Sequence, residues 1–249
     1  MKFSVVIAAY NAGSTICAAL QSCMSQTFAA FEIIVVDDAS TDNTLQLVRA
    51  FSSEIKTIPL KANKGVSAAR NAGWAMASGD YVAFLDSDDV WHPEKLFWVN
   101  EVLKNDTSVN FIAHQFTTDL SFHQQQISGP EKKELSFRLL LPRNQVQGSC
   151  IIVRRTLSER FDESMRYCED YDLALRCAYH QSITFIDAPL SVLSRPQQSA
   201  GGLSANRWAM RKGELYLYGK IQRLNPLLAV CIPLLWLYSI AKHLFQKLE

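Results

Sequence analysis

Three carboxylates, Asp86, Asp88 and Asp89, crowd into four residues around Ser87. Like charges this close repel and raise one another's pKa, so the group is costly unless a cation or a set of N–H donors neutralises it. Oxygen ligands on a short turn suit Mg²⁺ or Mn²⁺, which bind through one or two carboxylates and complete their shell with substrate phosphates and water. A sugar-nucleotide diphosphate is one partner of that kind. Taken alone, the same residues also fit a solvated turn in which Asp89 caps the next segment. Two further acidic stretches, Asp37-Asp38 and Glu169-Asp170-Tyr171-Asp172, lie far apart in the chain. The second opens a helix, where the dipole favours negative charge by about 0.3–1 kcal/mol per residue. A carboxylate there could also take the proton of an attacking hydroxyl.

The elements that position these groups read as alternating strands and helices. Phe3 to Ala9, Phe31 to Val36, Lys56 to Leu60 and Tyr81 to Leu85 are apolar runs bounded by turn residues, as buried strands are. Between them, Ile16, Ala19, Leu20 and Cys23 recur at helical spacing. Leu45, Leu47, Val48 and Phe51 do so after a turn that Ser40 or Thr41 can cap. Asn63-Lys64-Gly65 leads a third helix whose small residues suit close packing on a sheet. This alternation predicts an α/β fold with a mainly parallel, Rossmann-like sheet flanked by helices and its site at the carboxyl ends of the strands. The acidic turns after the second and fourth strands fall on that edge.

Composition narrows the class. With 249 residues, 48% of them hydrophobic, the chain can bury one good-sized core. A net charge of +1 with no basic stripe argues against nucleic acid. Six cysteines without a C-x-x-C pair, mostly inside apolar segments, favour reduced thiols and a cytoplasmic protein. Met1-Lys2 runs straight into the first strand with no small-residue cleavage site, so no signal peptide is expected.

Five stretches together make the chain resemble a family 2 glycosyltransferase of the GT-A fold. They are Val5 to Asn11, Asp37 to Asp42, Asn63-Lys64-Gly65 with Ala69 to Gly73, Ala77 to Asp80 running into Asp86 to Asp89, and Glu169 to Leu173. Ala8 stands where the family often has Pro. The Gln-x-x-Arg-Trp motif of processive members is absent, Asn206-Arg207-Trp208 being a partial echo, so the resemblance implies addition of a single sugar. It also implies a catalytic domain over residues 1–205, with 1–100 binding the nucleotide-sugar and 101–205 the acceptor.

On this resemblance, Tyr10 stacks on the base and Asp38 accepts from a uridine N–H. Arg70 reaches the nucleotide, Asp86 lies near the ribose and metal, and Asp88 is the direct ligand of Mn²⁺ or Mg²⁺, with Asp89 in reserve. Arg195, in the segment Ser194 to Ser204, contacts the diphosphate, and Asp170 is the base. Residue types alone leave other roles open: Tyr10 could be core, and Glu169 and Asp170 could be helix-capping. One base opposite a metal-bound leaving group implies inversion, so an α-linked UDP-hexose would give a β-glycoside.

The acceptor half reads less regularly. Phe111 to Phe116 and Gln147 to Val153 are expected strands, and Asp119 to Lys133 an ordered-on-binding loop. The implied acceptor is a lipid-linked saccharide in bacterial surface polysaccharide (O-antigen or capsule) assembly. A soluble or protein acceptor and a non-catalytic nucleotide-sugar-binding protein are the alternatives. Residues 206–249 read as a helical tail. Its apolar run Pro226 to Ala241 is shorter than the ~20 residues that span a bilayer and is interrupted by Pro233. The run is expected to lie in the cytoplasmic membrane surface, the enzyme being peripheral at its inner face, with packing against protein as the other possibility.

Overall fold

Strands β1 (Phe3–Ala9), β2 (Glu32–Asp37), β3 (Lys56–Pro59) and β4 (Tyr81–Asp86) pair in parallel in the order β3-β2-β1-β4. The computed structural model describes residues 1–125, 127–194 and 206–245. Helices α1 (Ile16–Met24), α2 (Thr44–Phe51) and α3 (Val66–Met76) connect these strands. Alternate strand residues face opposite layers. Val6, Val36, Val82 and Phe84 pack with Trp74 of α3, while Val5, Ile7, Val35 and Leu85 pack with Ile16 and Leu20 of α1. Burial on both faces is why these strands read as continuous apolar runs.

Past β4 the sheet becomes mixed. It adds β5 (Val90–Trp91), α4 (Lys95–Asn105), β6 (Phe111–Thr117), β7 (Lys132–Leu135), α5 (Phe137–Leu140), β8 (Ile152–Arg154), α6 (Glu169–His180) and β9 (Ile183–Val192). β4 pairs antiparallel with β8, which pairs antiparallel with β6, and β6 runs parallel to β9. β5 and β7 join β9 antiparallel, for a nine-stranded sheet.

Three local expectations change. Gln147 to Val153 is not one strand: Gly148–Cys150 is a 3-10 turn, and the strand begins at Ile152. The expected loop from Asp119 contains a 3-10 turn at Leu120–Gln124 and ends in β7. Neither Ser40 nor Thr41 caps α2. Asp42 Oδ1 accepts from the Thr44 N–H at 3.0 Å, because Ser40 and Thr41 are bonded to Asn11 instead.

After the undescribed stretch, α7 (Arg207–Ile221) enters the main core, with Leu217 and Tyr218 buried in one cluster with Tyr171 and Leu173. The helix comes in close at Gly213, where a Cβ would sit 2.9 Å from Tyr167 Cβ and 3.0 Å from its carbonyl oxygen. A 3-10 turn, Pro226–Cys231, leads to α8 (Ile232–Phe245), which buries Ile232 and Ser239. It leaves Leu234, Leu237, Tyr238 and Ile240 exposed. No helix among the described residues is long and apolar enough to cross a membrane.

Candidate active site at the carboxyl edge of the sheet

The register Ala9 to Asp37 brings the turns after β1 and β2 side by side. Two non-glycine residues in the left-handed region, Asn11 (φ 49°) and Ala39 (φ 61°), shape them. Asn11 Oδ1 accepts from the Thr41 N–H at 2.8 Å, and the Asn11 N–H donates to Ser40 Oγ at 2.9 Å. Tyr10 stands half out of the surface here, at 50% exposure. Its ring is available to a flat partner.

Asp38 is buried, and its two oxygens accept from the N–H groups of Lys64 (2.7 Å) and Gly65 (2.8 Å). It therefore fixes the turn that opens α3, whose Gly65 sits at φ 91°, where a side chain would be strained. The carboxylate expected to meet a nucleobase is thus already engaged within the chain, with second lone pairs to spare. Beside it, Asp37 Oδ1 is buried and accepts no hydrogen bond among the described residues.

Arg70 joins the turn after β4 to the first turn of α6. Its side chain is 3% exposed, Nη2 meets Asp86 Oδ1 at 2.5 Å and Nη1 meets Glu169 Oε1 at 2.9 Å. The guanidinium lies over the Phe161 ring, 5.1 Å from its centroid. It does not project freely from its small-residue helix toward a nucleotide. It is spent on the two carboxylates, because only a fixed fork can pair both at once. Gly148 leaves it room: a Cβ there would be 2.3 Å from Nη2.

Next to Glu169, in the first turn of α6, Asp170 Oδ1 accepts from the Tyr171 N–H at 2.7 Å. Burial, and then the charge of Glu169, push its carboxyl up to about 7, while Arg70 pulls the other way. A carboxyl poised there is a fit general base. Asp172, two residues along, is buried on another face, paired with Arg176 and Lys220.

The acidic turn is held from behind by Ser149. Its Oγ donates to Asp89 Oδ2 at 2.5 Å and accepts from the Asp86 N–H at 3.0 Å. Its carbonyl accepts from Lys95 Nζ (2.7 Å), Ser191 Oγ (2.9 Å) and Trp91 Nε1 (3.1 Å). Asp89 is buried, and desolvation followed by the neighbouring Asp86 raises it to about 7. Lys95 is fully buried against the Trp91 ring at 3.8 Å, and desolvation lowers it to about 7. Neither Ser149 nor Lys95 stands out in sequence. A lysine in the first turn of an amphipathic helix reads as solvated, and only its tertiary position shows otherwise.

Among the described residues no group of three or more His, Cys, Asp or Glu is arranged to hold a metal ion. Mg²⁺ and Mn²⁺ need only one or two carboxylates when phosphates and water supply the rest. The half-buried pair Asp86 and Asp88 offers hard oxygen donors in a turn whose mutual repulsion is felt at Asp89, so the donor set fits such an ion. Arg195 lies outside the described residues.

Residues 4–161 match the family model for glycosyl transferase family 2. The chain is 31% identical over 246 residues, 98% of itself and 95% of the relative, to the UDP-Glc:alpha-D-GlcNAc-diphosphoundecaprenol beta-1,3-glucosyltransferase WfgD of Escherichia coli. It is 34% identical over 192 residues to the amylovoran biosynthesis glycosyltransferase AmsB of Erwinia amylovora, covering 71% of this chain and 64% of that one. Among solved structures, S. aureus TarS 1-349 in complex with UDP-GlcNAc shares the fold with a TM-score of 0.72 at 22% identity, over 89% of this chain and 67% of that one.

Proposed function

Because the chain belongs to glycosyl transferase family 2, we propose that it moves one sugar from a UDP-hexose to a lipid-linked saccharide in bacterial surface polysaccharide assembly, inverting the anomeric centre. The observation that carries this reading is the Arg70 fork, which ties Asp86 on the donor turn to Glu169 beside the candidate base. The fork would then hold the donor turn and the candidate base at a fixed separation. The name of WfgD, which specifies a UDP-Glc donor and a diphosphoundecaprenol-linked acceptor, supports both partners.

In this reading Asp170 takes the proton of the acceptor hydroxyl as it attacks the anomeric carbon, and the nucleoside diphosphate departs from the opposite face. Tyr10 stacks on the uracil, and Asp38 or the open Asp37 Oδ1 accepts from its N–H. Asp86 orients the ribose, and Arg195 contacts the diphosphate. Asp88, with Asp86, would hold Mg²⁺ or Mn²⁺, which supplies Lewis-acid stabilisation of charge on the leaving group. The exposed apolar residues of the 3-10 turn and α8, led by Leu227 at 78% and Val230 at 77%, lie on the inner face of the cytoplasmic membrane, where a lipid-linked acceptor is met.

A donor screen tests the proposal: hydrolysis or transfer measured with UDP-, GDP- and dTDP-sugars should be fastest with a UDP-hexose. Preference for a GDP-sugar would overturn the donor assignment. In excess EDTA, transfer should fall at least about tenfold and return with Mn²⁺ or Mg²⁺, and Asp88→Ala should reproduce the loss. Unchanged turnover in chelator would remove the metal from the reading.

A further inference from the structure

On the side of α6 turned away from Asp170, a cavity of about 310 Å³ opens between α6, α7 and the turn before α6. Asp170 and Asp172 are about 200° apart around the helix, so this cavity is distinct from the candidate active site. Its volume falls at the lower end of the ~300–1,000 Å³ that small-molecule sites occupy. The floor is apolar: Leu175, Leu217, Ile221 and Leu224. Four cations line it, Arg160, Arg176, Lys220 and Arg223, against two acids, Asp162 and Asp172.

The charges do not cancel. Lys220 Nζ bonds Asp162 at 2.6 Å and Asp172 at 2.7 Å, and Arg176 Nε donates to Asp172 at 2.8 Å. These two cations neutralise both lining acids, leaving Arg160, which also feels the adjoining Glu159 carboxylate, and Arg223 as the cations left over within the cavity. Arg160 is anchored, its guanidinium over the Trp74 ring at 4.2 Å and its Nη1 donating to the Glu159 carbonyl at 2.8 Å. Arg223 is exposed and makes no ion pair among the described residues. An apolar floor beneath surplus guanidinium groups suits a ligand with a phosphate at one end and hydrocarbon at the other. The backbone leaves this cavity at Leu224 and passes directly into the exposed apolar run that starts at Leu227.

We propose that this cavity binds the phosphate of an anionic membrane lipid, with the start of its hydrocarbon on the leucine floor. The inference rests on the membrane-surface reading above and gives that surface a headgroup-specific contact.

The test uses the full chain in vesicle flotation, with phosphatidylcholine alone and with an equal mixture of phosphatidylcholine and phosphatidylglycerol. The wild type should bind the mixed vesicles more tightly. The double variant Arg160→Gln, Arg223→Gln should lose about fivefold per arginine on mixed vesicles only, with donor hydrolysis unchanged. In parallel, dihexanoyl phosphatidic acid should raise the melting midpoint of the wild type and not of the double variant, and inorganic phosphate at equal concentration should raise neither. If the double variant floats like the wild type and the short lipid gives no shift, the cavity assignment is overturned while membrane binding stands. If the wild type floats with neither vesicle, the membrane-surface reading fails. The cavity is then supported by a short-lipid shift confined to the wild type and overturned without one. Equal protection by inorganic phosphate overturns the lipid in favour of a free anion.

Discussion

Replacing Asp170 with Asn should lower turnover by about a hundredfold or more while donor affinity stays close to wild type. The amide is nearly isosteric and still accepts from the Tyr171 N–H through its oxygen, so the start of α6 should be undisturbed. What it cannot do is take a proton. The pH profile supplies the sign. With its carboxyl pushed up to about 7, Asp170 is ionised above that pH and protonated below it. Turnover of the wild type should therefore rise as pH passes through about 7, and the residual activity of Asp170→Asn should be flat there. A variant that keeps most of its turnover, or keeps the same pH midpoint, would move the base to Glu169.

Arg70→Met is expected to damage both stability and chemistry. The substitution keeps much of the volume but leaves Asp86 and Glu169 facing each other without a counter-ion. Removing one partner of a buried ionic group costs roughly 3–5 kcal/mol, and the lower end applies because Asp86 keeps 30% of its side chain exposed. In a chain of this size that lowers the melting midpoint by on the order of 10 °C. Arg70 also holds Asp170 down, so in its absence the pH midpoint of turnover should move upward, with part of the lost activity regained at higher pH. Arg70→Lys should fall between the two, since one ammonium cannot fork to both carboxylates. A Met variant that melts with the wild type would show that the fork is dispensable.

Why Arg70 is legible only in part is a matter of sequence distance. Its partners lie 16 and 99 residues away, and nothing in the local pattern of α3 specifies them. The four parallel strands and the turns that end them were readable because each is buried on both faces and bounded by charge. β5, β7 and β9 were not, since two- and four-residue strands carry too little period and β9 gains its place from pairing with three others. The acidic residues themselves stand out as a candidate site. Their supports, Ser149, Lys95 and Gly148, are ordinary residue types made specific by what they touch. Asp38 follows β2 at its carboxyl end, but its grip on the Lys64-Gly65 turn depends on backbone groups that no residue-type argument can see.

The entry of α7 into the core has a consequence for how the protein comes into being. The acidic turns and α6 are all made before residue 181, yet the cluster beneath α6 is completed by Leu217 and Tyr218. Chains are synthesised from the amino end, and domains fold as units. A nascent chain stopped just after β9 thus carries every described carboxylate of the site while the apolar underside of α6 still faces water. Completion of the core under α6 therefore waits for α7, so the fold cannot be finished ahead of the segment that carries the exposed apolar run.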